Sequence, residues 1–150
     1  MREIDHINRK ILQELSRDGR LANVELAERV GLSPSACLRR VQELERSGVI
    51  AGYRAVLDLD KRGIGFVAYV TVGISNHGKL AREDFEAGIA RSTEVVECHN
   101  ITGSSEYLLR VEVADLAAYK HFHTEVLGTL AQVTAITTFV VMSSPKDQRR

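Results

Sequence analysis

The sequence predicts an α+β chain in two parts, a cluster of three short helices followed by a β-α-β-β-α-β domain. Three observations carry that prediction. Apolar residues recur at helical spacing through residues 1–50, and the spacing changes to alternation near residue 50. Beyond residue 60, stretches rich in β-branched and aromatic residues are interleaved with two amphipathic patterns.

The helices come first. Ile4, Ile7, Ile11, Leu12 and Leu15 share one helical face, and the pattern stops at "RDGR", where Gly19 is expected to supply the left-handed conformation that ends a helix. Asn23 is expected to cap a second helix with Leu26, Ala27 and Val30 inward, closed by Gly31. That helix is only about two turns long and needs tertiary support. Ser33 caps a third helix, and Pro34 takes its first position, where a missing N–H costs nothing. Cys37, Leu38, Val41 and Leu44 form its apolar stripe, and Gly48 closes it.

At about 100° per residue, Ser35, Arg39, Glu43 and Arg46 fall roughly opposite that stripe, with Arg40 on the flank. Two short helices joined by a glycine-containing turn, the second with small and basic residues near its start, make the helix-turn-helix unit that fits a DNA major groove. Ser35 and Ala36 permit close approach, while Arg39 and Arg40 reach phosphates or a guanine edge. Ser33 at the start of the helix and Arg46 in its last turn complete the candidate DNA-binding set. The competing reading of the Arg-Arg pair is a solvated charged face on an ordinary three-helix bundle.

"VIAGYRAVLDLD" alternates and leads into the connection "KRGIGF", which gives a DNA-binding domain over 1–50, a linker over 51–60 and a second domain over 61–150. In that domain the strand "FVAYVTVGI" is followed by a helix carrying Leu80, Phe85 and Ile89. Strands "EVVECHNI" and "YLLRVEV" are joined through "TGSSE". A helix capped by Asp115, with Leu116, Tyr119, Phe122, Val126, Leu127 and Leu130 inward, then precedes the last strand, "VTAITTFVVM". This is the ferredoxin-like order, an antiparallel sheet with both helices on one face. The other face keeps apolar residues and is expected to be covered by a second copy of the chain.

Composition sets the limits. The 150 residues carry no net charge, and residues 1–50 hold nine Lys/Arg against eight Asp/Glu, so DNA affinity must come from local geometry and multiplicity. No apolar run approaches a membrane span, and charges stand where a signal peptide needs an apolar core, which reads as cytoplasmic. Cys37 and Cys98 belong to no metal or disulfide pattern. His121 and His123 diverge on their helix and His99 stands alone in a strand, so no metal set is expected. Neither a P-loop, a G-x-G-x-x-G nor a nucleophile elbow occurs.

The stretches "IDHINRKILQELSRDGR", "NVELAERVGLSPSACLRRVQELERSGVI", "GYRAVLD", "ECHNITGSSEYLLRVEVADLAAY" and "TTFVVM" resemble the Lrp/AsnC, or feast/famine, family of transcription regulators across nearly the whole chain. The resemblance implies a winged-type helix-turn-helix that binds double-stranded DNA, a β-hairpin linker over 51–60, and a ferredoxin-like domain that forms a homodimer, assembles into higher oligomers such as an octamer, and often binds an amino acid. It implies no enzyme activity and no cofactor, only a possible free amino-acid effector. The effector residues it implies are Thr102, Gly103, Ser104, Ser105, Glu106 and Tyr107 in the turn after the second strand, with Thr138 on the last strand. Many members carry an acidic residue after that glycine, where this chain has Ser104, and Ile136 replaces a common threonine. Backbone N–H groups of a glycine turn suit a carboxylate, and Glu106 suits an ammonium. The competing reading is a serine-rich hairpin turn with Tyr107 in the core. A ferredoxin-like dimeric enzyme and an architectural DNA-binding protein without effector are the alternative functions.

Overall fold

Asp5 begins the first helix by accepting the Asn8 N–H on its carboxylate at 2.8 Å, which satisfies one of the orphan donors of α1 (His6–Arg17). The computed structural model, which describes residues 4–75 and 78–147, ends α1 at an extended Asp18 whose N–H bonds the Glu14 carbonyl. Gly19 is therefore not the left-handed terminator that the sequence suggested. It is small for a different reason: a Cβ there would lie 3.2 Å from the ring of Tyr53, whose hydroxyl donates to Glu45.

The second helix, α2 (Asn23–Val30), starts after Ala22 without any side-chain cap. Asn23, expected to be that cap, sits in the first turn, and its amide nitrogen instead donates to the Pro34 carbonyl at 2.8 Å. Gly31, at φ 74°, ends the helix as expected. In α3 (Pro34–Arg46), Ser33 caps by accepting the Ala36 N–H and Pro34 occupies the first turn. The three helices bury Ile11, Leu26, Ala27, Val30, Cys37 and Leu44 in one core, with Val41 packed against it. Leu38, expected inward, is 46% exposed, because it stands about 100° round the helix from Cys37 and outside the arc that α1 and α2 cover.

Residues 51–58 form no strand, so the expected β-hairpin linker is not made within this chain. The reason is physical: strand hydrogen bonds need a partner strand, and Tyr53, Val56 and Leu57 are exposed instead. The chain divides into two compact units, Met1–Ala55 and Val56–Arg150. A single 3₁₀ turn, Asp60–Arg62, opens the way into the sheet.

The second unit follows the expected order: β1 (Phe66–Ile74), α4 (Lys79–Ala90), β2 (Val95–Asn100), β3 (Tyr107–Val113), α5 (Leu116–His121) and β4 (Val133–Val140). The strands lie in the order β2-β3-β1-β4, and every neighbouring pair is antiparallel. Alternation decides the faces: Ala68, Val70, Val72 and Ile74 of β1 and Tyr107, Leu109, Val111 and Val113 of β3 join Phe85, Ile89, Tyr119, Phe122 and Leu127 in the core. After α5 the chain winds on through a wider turn at Phe122–Val126 and a 3₁₀ turn at Leu127–Thr129. Gly88 lets Leu130 in, since a Cβ would stand 2.7 Å from its side chain. Leu80 and Leu116, expected inward, are 77% and 66% exposed, each in the first turn of its helix.

The opposite sheet face carries a buried charged pair. Arg110, only 6% exposed, donates through Nε to Glu112 at 2.9 Å and through Nη1 to the Tyr69 hydroxyl at 2.9 Å. Its guanidinium stands 5.5 Å from the Tyr69 ring centroid. Burial alone would lower the Arg110 pKa, but the bonds to Glu112 and Tyr69 outweigh it and the group is held more firmly protonated. Phe139, across from Tyr69 on β4, is 55% exposed on this face.

Because each unit has its own core, Leu26→Ala should cost the N-terminal unit about 2–5 kcal/mol while leaving amide exchange in β1 and β3 unchanged. Native-state hydrogen exchange checks this; loss of protection in both units would contradict it.

Candidate nucleic-acid interface and effector turn

The N-terminal site is the outer face of α3. Its start is fixed by the Ser33 cap and by the Asn23 amide on the Pro34 carbonyl, which ties the first turn of α2 to the first turn of α3. Ser35 is exposed beside Ser33, their hydroxyls 3.3 Å apart, and Ala36 is half-buried. The two adjacent arginines separate. Arg39 is exposed and makes no hydrogen bond or ion pair with the described residues. Arg40 turns toward α1, where its Nη1 donates to Asp5 at 2.6 Å and to Asn8 at 3.0 Å. Arg46 is exposed in the last turn and forks onto Glu43.

Two further side chains reach this face: Gln42, which the sequence reading passed over, and Leu38, which it placed in the inward stripe. Gln42 is exposed and makes no side-chain hydrogen bond with the described residues, and Leu38 is half-exposed beside it. The signal was present: Gln42 follows Ser35 by seven residues and Arg39 by three, the same helical spacing that placed the arginines.

Asp5 and Arg40 also carry a titration. The bond from Arg40, followed by the Asn8 N–H, holds the Asp5 carboxyl below the usual carboxylate range. A depressed carboxylate stabilises the fold above its ordinary value, and that contribution is lost as pH falls through the folded-state value.

The second site is the turn between β2 and β3. Gly103 adopts φ 130°, and Thr102, Gly103 and Ser104 are exposed while Ser105 is half-buried. Glu106 is anchored: its N–H bonds the Val72 carbonyl at 3.0 Å, and its Oε2 accepts the Ile74 N–H at 2.9 Å. The Glu106 carbonyl takes the Ile101 N–H and the Asn100 amide, closing the base of the turn. The carboxylate thus lies at the end of β1, where Gly73 leaves room, for a Cβ there would stand 3.6 Å from Oε2 and 3.3 Å from the Ala135 Cβ.

Tyr107 and Thr138 lie apart from this turn. Tyr107 is 1% exposed in the core, packs its ring against Phe85 at a tilt of 39° and donates its hydroxyl to Glu86 at 2.7 Å. Burial and Glu86 push its pKa up to about 12. Thr138 pairs across the sheet with Val70 and shares a hydrogen bond with the Tyr119 hydroxyl, so within one chain it belongs to the helix side of the sheet. Cys37 is buried and Cys98 exposed, both as free thiols. Among the described residues there is no His/Cys/Asp/Glu group suited to a metal ion, and no helix is long and apolar enough to cross a membrane.

Residues 4–51 match the model for winged helix-turn-helix DNA-binding, and residues 67–150 match that for the Lrp/AsnC ligand binding domain. The chain belongs to the Lrp/AsnC family. It is 40% identical over 149 residues to the leucine-responsive regulatory protein of Salmonella typhimurium, covering 99% of this chain and 91% of that one. With the protein of the same name from Escherichia coli K12 the identity is 39% over the same shares. Among solved structures, a Neisseria meningitidis transcriptional regulator in complex with L-Met is similar at a TM-score of 0.92 and 39% identity, over 97% of this chain and 94% of that one. The feast or famine regulatory protein of M. tuberculosis complexed with L-methionine is similar at 0.86 and 30%, over 99% and 98%. This Lrp/AsnC protein is thus a DNA-binding transcription regulator with an α+β fold and a ligand-binding domain, and the proteins it resembles are regulators.

In this Lrp/AsnC regulator the two arginines should separate in experiment as they do in space. Arg39→Ala is expected to weaken binding to all DNA sequences alike, lower the salt slope by about one, and leave the melting temperature unchanged. Arg40→Ala is expected to lower the melting temperature near neutral pH and to flatten its fall on acidification through the carboxylate range, because Asp5 loses its partner. Titrations at several salt concentrations and melts across that pH range check the pair of outcomes.

Proposed function

We propose that this regulator works as a homo-oligomer, at least a dimer and capable of larger assemblies, which binds pseudo-palindromic double-stranded DNA and answers to a free amino acid at the turn formed by Thr102, Gly103, Ser104, Ser105 and Glu106. The observation that carries the effector assignment is the Glu106 carboxylate, fixed by the Ile74 N–H beside a glycine turn whose tip is exposed. A carboxylate is the side-chain group that suits an ammonium, and the Ile74 N–H fixes its position. The backbone of the turn around Gly103 suits the carboxylate of the same ligand. Two structurally similar regulators hold methionine, which supports an amino acid as the ligand class.

Assembly rests on a different observation. A sheet face that carries exposed Phe139 beside the buried Arg110–Tyr69 pair suits a second copy better than water, and a neutral DNA-binding unit needs multiplicity to reach useful affinity. Residues 51–58, with Tyr53, Val56 and Leu57 exposed, suit pairing with the same segment of another copy. The protein acts in this reading as a sensor and not as an enzyme.

Calorimetry against the common amino acids tests the effector. At least one should bind. Glu106→Gln, which keeps an acceptor for the Ile74 N–H and removes the charge, should abolish that binding while the fold and DNA binding persist. Gly103→Asp should do the same by charge and by strain at φ 130°. Silence from every amino acid would reduce this domain to an assembly module. Light scattering tests the oligomer: Phe139→Glu should shift the wild-type assembly toward smaller species, and a monomeric wild type at micromolar concentration would overturn the proposal.

A further inference from the structure

We infer that Leu38 and Gln42 form the base-reading edge of α3, Gln42 taking an adenine and Leu38 the methyl group of a nearby thymine in each half-site. The inference rests on the DNA-binding role of α3 and asks what that helix recognises. Taking about 100° per residue, Gln42 stands about 20° from Ser35, with Arg39 about 40° to one side and Leu38 about 60° to the other. All four are exposed, and they share one arc away from the core residues Cys37, Val41 and Leu44.

The chemistry along that arc is uneven. Arg40 and Arg46 are engaged with Asp5 and Glu43, which leaves Arg39 as the cation of the arc without a partner among the described residues. A single arginine beside small Ser35 serves a phosphate, in line with the uniform weakening expected of Arg39→Ala. Gln42 offers an amide with a donor and an acceptor, the pair that matches adenine N7 and N6 in the major groove. Leu38 offers methyl groups and no polar atom. It is 46% exposed on an otherwise polar face, and the apolar feature of the major groove is the thymine C5-methyl.

Spacing fits the two together. Leu38 and Gln42 are i and i+4 neighbours with Cβ atoms about 5–6 Å apart, and successive base pairs rise about 3.4 Å, so the two side chains address the same A·T pair or adjacent ones. Leu38 lies in the second turn of α3 and Gln42 in the third, so Leu38 stands nearer the helix N-terminus that enters the groove and Gln42 one turn further along it.

The test is selection of sites by the full-length protein from a randomised double-stranded DNA library, followed by binding titrations on the enriched site. Wild-type protein should enrich a site with an A·T position that Gln42→Ala relaxes and Gln42→Arg converts to guanine. Binding to adenine at that position over other bases should fall on the order of ten-fold in Gln42→Ala. Replacing one thymine of the site by uracil should weaken the wild type about four-fold and should leave Leu38→Ala unaffected, while Leu38→Met keeps the sensitivity. Circular dichroism and melting of each variant confirm that the fold is retained. If both alanine variants enrich the wild-type site unchanged, or no uracil substitution weakens binding, the inference is overturned while DNA binding stands. If the wild type enriches no sequence, sequence-specific DNA reading by α3 falls with it.

Discussion

The packing of α2 against α3 is the constraint on which the DNA-binding unit depends. An eight-residue helix does not persist alone in water, so α2 exists because Leu26, Ala27 and Val30 are buried with Cys37 and Leu44. The same contact fixes the azimuth of α3. With Cys37 and Leu44 inside, Ser35, Arg39 and Gln42 have no direction left but outward, and Leu38 stays at the edge. The Asn23 amide on the Pro34 carbonyl adds a polar tie at the point where the helices start, which sets the height of one against the other. Functional geometry here is a consequence of core geometry.

Charged groups serve two purposes in this chain, and the structure separates them. Arg40, Arg29 and Arg46 each face a carboxylate, while Arg39 faces solvent. Exposed pairs of this kind contribute little to stability, roughly 0–1 kcal/mol each, but they remove positive charge from the field that DNA would feel. The Arg110–Glu112 pair is different in kind, because it is buried and bonded to the Tyr69 hydroxyl. Removing one partner there would strand a charge in a site with little water.

Much of this was legible in the sequence where local rules decide. Ser33, Pro34, Gly31 and Asp115 are where capping chemistry puts them, and the β-branched and aromatic content of "FVAYVTVGI" marks β1. The errors arose where partners distant in sequence intervene. Gly19 answers to Tyr53, and Asn23 answers to Pro34 rather than to its own helix. Leu80 and Leu116 fit an apolar pattern but precede the part of the helix that meets the sheet. At the proposed effector turn the sequence pointed to Glu106 but not to the Ile74 N–H that orients it, because a backbone donor on another strand leaves no mark in residue identity. The strand-like alternation of residues 51–58 lacks its structural counterpart for a related reason, since a strand is a property of two segments and not of one.

Neutrality and the reading face are linked by the energetics of search. A strongly basic domain gains affinity for every phosphate, and this non-specific term competes with the chosen site across the whole genome. In the first 50 residues nine cationic side chains are matched by eight acidic ones, and several of them are paired internally, which keeps that term small. Discrimination must then come from groups whose interaction differs between base pairs, as that of an amide with adenine or of a methyl-bearing side chain with thymine does. The cost is a weak single contact per recognition helix. In the oligomer we propose, repetition of the helix restores affinity through effective concentration without restoring indiscriminate attraction, because each added copy contributes only when its own half-site is in register.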